Sequence, residues 1–143
     1  MRIVHVSDCY APRLGGIETQ VRALAIRQAQ AGHDVHVITA TAAQAGPIAG
    51  RSGTERLDGV RVHRLVAHLP LDLPVHPRVV PQVRALLSPG GAAGGAGAVH
   101  VHGGVVSPFA YPAAQVASAL GLPTVVTIHG IWGPLMSPAA GLA

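Results

Sequence analysis

Lysine is missing from this chain and cysteine occurs only once. Without lysine there is no GxxxxGK[ST] phosphate loop, so a P-loop nucleoside triphosphatase is excluded. The lone Cys9 rules out a disulfide framework and a CxxC metal site. It ends an apolar run and reads as a small buried side chain. Aromatic residues are limited to Tyr10, Phe109, Tyr111 and Trp132, so a core has to be built from Val, Leu, Ile and Ala. Only six residues are acidic, and no two form a carboxylate pair placed for hydrolysis. A GxSxG elbow is absent, which argues against a serine hydrolase. No apolar run reaches the roughly 20 residues needed to cross a bilayer. The opening "MRIVHVSD" is too short and too strand-like for a signal peptide. A cytoplasmic protein is the expectation, with peripheral contact at the inner face of a membrane left open. The formal charge is +4 and all ten basic residues are arginine. They are scattered rather than clustered among aromatics, so no nucleic-acid surface is expected.

What is present is enough for one domain: 143 residues, 49% of them hydrophobic. "RIVHVSD" (2–8) and "DVHVITAT" (34–41) read as strands buried on both faces. Between them, 18–30 reads as a helix with Ile17, Val21, Leu24, Ala25 and Gln28 on one face, ended by Gly32. Residues 42–54 read as a loop. "GVRVHRLV" (59–66) alternates like a strand with one wetter face. A short helix is expected at 79–87, and "SPGGAAGGAGA" (88–98) reads as a flexible surface loop. "VHVHG" (99–103) is a short strand. "SPFAYPAAQVASALG" predicts a helix capped by Ser107 with Pro108 at its first position, kinked or delayed by Pro112. "PTVVTIHG" (123–130) is another buried strand, and 131–143 shows no clear element. Apolar strands alternating with helices predict an α/β fold: a parallel sheet with helices on both faces. Ligands bind such sheets beyond the carboxyl ends of the strands.

Four segments fall at those ends: 10–17, 41–45, 103–107 and 129–133. Gly15 and Gly16 precede the first helix, where glycine permits positive φ and close approach of a ligand. Backbone N–H groups at a helix start suit phosphate or a sugar hydroxyl. A dinucleotide site is disfavoured, because GxGxxG is missing and "ITAT" lacks the acidic residue that would hold a ribose. His129, followed by Gly130, can donate to a sugar hydroxyl or phosphate, or stabilise developing charge. Asp8 and Glu18 flank the glycines, and Glu18 also suits the first turn of a helix. His100 and His102 share a face and could hold zinc with a third ligand, but no acidic or Cys partner is near, so no metal is expected. His5, His33, His36 and His63 form no recognisable spacing.

Taken together, "MRIVHVSDCYAPRLGGIETQVRALAIRQAQAGHDVHVITAT", "VHVHG" and "PTVVTIHG" resemble, in order, the N-terminal domain of a family 4 glycosyltransferase of the GT-B fold. The resemblance implies a Rossmann-like domain, and retaining, metal-independent transfer from a nucleotide-sugar donor to a hydroxyl acceptor, with no cofactor. It places Gly15 and Gly16 against the donor diphosphate or the acceptor. Glu18 would start the helix behind them, and His129, the candidate catalytic residue, would lie with Gly130 near the transferred sugar. Two departures stand out. "GGAGAVHVHG" lacks the family's acidic residue before that strand. The residues 1–143 also form a single, incomplete N-terminal portion, without the C-terminal domain that grips the nucleotide sugar, so this piece alone is expected to transfer nothing. Residues 42–54 and 66–87 are the segments expected to set acceptor choice. The competing reading is a non-catalytic α/β binding module for an anion or a protein partner. A nucleotide-dependent oxidoreductase half is a weaker third.

Overall fold

A computed structural model describes residues 1–68, 71 and 76–129. The elements run β1 (Arg2–Ser7), α1 (Gly16–Gln30), β2 (Asp34–Thr39), β3 (Gly53–Leu57), β4 (Val60–Arg64), α2 (Val79–Leu87), β5 (Ala98–Gly103), α3 (Ala110–Ala119) and β6 (Thr124–Ile128). They build one six-stranded sheet in the order β3-β4-β2-β1-β5-β6. Every neighbouring pair is parallel except β3 with β4. The expected α/β fold is therefore the one observed, with one antiparallel strand added at the edge.

Alternation along the strands divides the core into two layers. Val4, Val6, Ile38, Val99 and Val101 face α2 and α3, where they meet Val83, Phe109, Ala113 and Val116. Val35, Val37 and Val62 face α1 and pack on Val21 and Ala25. The stripe predicted for α1 is buried at Val21 and Ala25, whereas Leu24 lies at its margin and is exposed. Branched Val and Ile fill both faces because a strand between two helical layers has no wet side.

Four expectations need correcting. The loop read over 42–54 ends at β3, which forms a hairpin with β4 through Asp58 and Gly59. Both turn residues have positive φ, 55° and 77°, as a two-residue primed turn requires. The expected wetter face of β4 is also absent, since His63 and Arg64 are both buried. Most of their polar atoms are held inside: Arg64 Nη1 donates to the Thr41 carbonyl at 2.9 Å and Nη2 to Glu55 Oε1 at 3.4 Å, while Arg64 Nε is buried without a partner among the described residues, and His63 is paired as described below. The strand read as buried over 123–130 is β6, and Val125, Val126 and Ile128 are exposed. Among the described residues β6 pairs only with β5, so it forms an edge.

The glycine-rich stretch 88–97 is a packed segment rather than a flexible loop. Ala93 and Ala96 are buried in the core. Gly91 donates to the Ser88 carbonyl at 2.8 Å, Ala93 to Leu86 at 2.9 Å and Gly97 to Arg2 at 2.8 Å. A Cβ at Gly91 would overlap the carbonyl oxygens of Ala85 and Leu86. Glycine is required there for close approach of backbone to backbone, not for chain freedom.

Candidate functional site

Because β2, β1, β5 and β6 run parallel, their carboxyl ends meet one rim of the sheet. The segments after β1 and β6 both reach that rim, with the exit of β5 between them.

Gly15 is the N-cap of α1, with extended backbone at φ 179°. Neither Gly15 nor Gly16 is in the left-handed φ range, so left-handed geometry does not explain the pair. A side chain at Gly15 would collide with the Glu18 carboxylate, which folds back over it. A Cβ at Gly16 would meet nothing within 4 Å. Glycine 16 therefore borders open space at a helix start that no side chain caps.

Asp8 has a structural task. Its Oδ1 accepts the backbone N–H groups of Phe109 at 2.9 Å and Ala110 at 3.2 Å, so it caps α3 from the end of β1. Burial raises its pKa, against the hydrogen bonds from Ser107, Phe109 and Ala110. The expected Ser107 cap is not formed; that hydroxyl accepts the Gly104 N–H instead. The helix starts at Ala110, which leaves Pro112 in the first turn, where no N–H is needed. Cys9 is partly buried, and burial raises its thiol pKa, which disfavours the nucleophilic thiolate.

The histidines are organised in a way their spacing did not reveal. His5 Nε2 lies 2.6 Å from Gln28 Oε1 of α1. His5 Nδ1 lies 2.9 Å from His102 Nε2, and His102 Nδ1 lies 3.0 Å from His129 Nε2. His100 lies beside His102 in a tilted contact, ring centroids 4.0 Å apart, and its Nε2 is 2.7 Å from Thr127 Oγ1. Burial pushes His5 down to about 4 and His102 to about 3, and lowers His100 as well. These rings are neutral at pH 7. His129 is half-buried and is fixed to the sheet by its N–H on the Gly103 carbonyl at 2.8 Å.

Three of these imidazoles, His5, His100 and His102, each offer a ring nitrogen within 4.8 Å of the others. Neutral imidazoles are the donors that zinc or copper takes. Here, however, the facing nitrogens of His5 and His102 already satisfy each other at hydrogen-bond distance.

Thus Gly15, Gly16 and Glu18 lie together at the start of α1, while His129 ends a separate line of rings leading in from the same helix. Gly130 falls outside the described residues. The roles of His5 and Gln28 were missed because their partners are distant in sequence. The available signal was strand parity: His5 is in register with His100, and Ser7 with His102, so all three imidazoles share a face.

Among the described residues no helix is long and apolar enough to cross a membrane. A search of curated proteins finds no match. Among solved structures the chain is similar to sucrose-phosphate synthase from Thermosynechococcus elongatus, at 20% identity and a TM-score of 0.59. The likeness covers 90% of this chain and 33% of that one, so the chain spans about a third of that protein's length. At this identity the likeness concerns the fold. The family model described as "Glycosyl transferase 4-like domain" matches residues 15–143. That agrees with the resemblance read from the sequence, and the chain belongs to the glycosyl transferase 4-like domain family.

Proposed function

We propose that this chain is the acceptor-side portion of a retaining, metal-independent glycosyltransferase that takes its sugar from a nucleotide-activated donor. Gly15, Gly16 and Glu18 border the donor diphosphate or the hydroxyl acceptor. His129, with Gly130, lies at the transferred sugar. A second domain grips the nucleotide, and this portion alone does not turn over.

One observation supports the reading beyond family membership: the segments leaving the rim carry exposed apolar side chains. Leu14, Val105 and Val106 are 89%, 68% and 81% exposed, and all three lie just past the ends of β1 and β5. Exposed apolar side chains in the segments that leave this rim are what a facing domain would bury. A self-contained binding module would be expected to present a polar surface there. The open space at Gly16 lies on the same rim.

The test is Gly16→Val in a transferase that joins this chain to a nucleotide-sugar domain. Turnover is expected to fall at least about tenfold, or ~1.4 kcal/mol. The thermal midpoint of the isolated chain should stay within a few degrees, because a Cβ at that position meets no neighbour. Unchanged turnover would remove the glycine loop from the mechanism.

A further inference from the structure

The line of rings from α1 to the rim has a direction, and the direction follows from its first member. The Gln28 carbonyl oxygen carries no hydrogen, so the 2.6 Å contact requires His5 Nε2 to be the donor. A neutral imidazole has one N–H, which leaves His5 Nδ1 as a bare acceptor. Across 2.9 Å, His102 Nε2 must then donate to it. The same step repeats, and across 3.0 Å His129 Nε2 must donate to His102 Nδ1. Burial keeps the inner rings neutral, as the depressed pKa values of His5 and His102 require.

We propose that Gln28, His5 and His102 are positioning residues that lock His129 as its Nε2–H tautomer, leaving Nδ1 as a hydrogen-bond acceptor. The proposal rests on the transferase reading only for its use. If His129 meets substrate, this tautomer has no further hydrogen to give. It accepts from a hydroxyl and offers nothing to a phosphate oxygen. This narrows the sequence-based expectation that His129 could donate to either.

Nitrogen-15 spectroscopy of histidine-labelled protein at pH 7.5 reads the tautomer of each ring directly, without donor or acceptor present. Wild-type chain is expected to show His5, His102 and His129 as Nε2–H. Gln28→Glu keeps an acceptor at the anchor and should keep all three. Gln28→Leu removes it and should release His129 into a mixture of tautomers. Gln28 is only partly buried on the surface of α1, so both variants are expected to fold. His5→Phe preserves the ring shape while deleting both nitrogens, and it should release His129 in the same way. A wild-type His129 found as Nδ1–H, or one indifferent to Gln28→Leu and His5→Phe alike, would overturn the lock. Failure of the transferase assay would leave this result standing, and a mixed tautomer would not touch the transferase reading.

Discussion

Two lines of histidine cross this sheet, one on each face, and they end differently. On the face toward α1, His5 and His102 lead from Gln28 to His129 at the rim. On the opposite face, Asp34 Oδ1 accepts from His36 Nε2 at 3.1 Å, and His36 Nδ1 lies 2.8 Å from His63 Nε2. His63 Nδ1 then lies 2.9 Å from Thr54 Oγ1 on β3. Both lines are anchored by an acceptor and run through buried rings. The second stops at a hydroxyl that closes it within the protein. The first stops at a half-buried ring at the rim where the strands' carboxyl ends meet. Residue type therefore does not separate the closed line from the one that reaches the rim. The position of the last nitrogen does.

The largest expected effect treats the two lines as equals. Unfolded, these imidazoles protonate near 6.5; folded, His5 and His63 resist down to about 4 and His102 to about 3, because burial penalises the charged ring. The unfolded chain thus binds more protons than the folded one between those values, so stability drops as the pH drops. The contribution is complete above about pH 6.5 and is lost as pH drops towards 3–4, with a total on the order of several kcal/mol. Urea midpoints between pH 7.5 and 4.5 measure it. A midpoint that does not move would mean that the rings are not held neutral.

A smaller effect separates the lines. His63→Leu and His102→Leu each orphan a buried nitrogen, at a cost of about 1–3 kcal/mol. Both should lower the urea midpoint at pH 7.5. Only His102→Leu should also change the tautomer of His129, and an equal change from His63→Leu would abolish the distinction. The smallest effect lies outside both lines. Asp8→Ala leaves two α3 amides without their acceptor, at about 1–2 kcal/mol. It should lower the midpoint without moving either histidine signature, and an altered His129 signal would tie the cap to the rim.

Much of the architecture was legible from residue pattern. Val-rich runs gave β1, β2 and β5, and α2 was expected over the residues it occupies, because each signal is local. What escaped depended on partners. The Asp58-Gly59 turn was a readable hairpin signal, but its first strand, Gly53–Leu57, is short, and its alternate residues are polar or exposed. The Ser107 cap failed because Asp8, about a hundred residues earlier, competes for the same amides. The glycine loop and His129 were identified as candidates from position alone. The residues that orient His129 are legible only through strand parity, because His5 and His102 become neighbours only once β1 and β5 pair.

The stretch 88–97 carries a practical lesson. Its composition marks it as the natural place to nick the chain, splice in a tag or let a protease cut. Yet Ala93 and Ala96 are buried in the core with residues of α2 and α3, and Gly91 and Gly94 lie against carbonyl oxygens with no room for a side chain. A cut there would unroof the interior rather than trim the surface, so tags and tethers belong elsewhere.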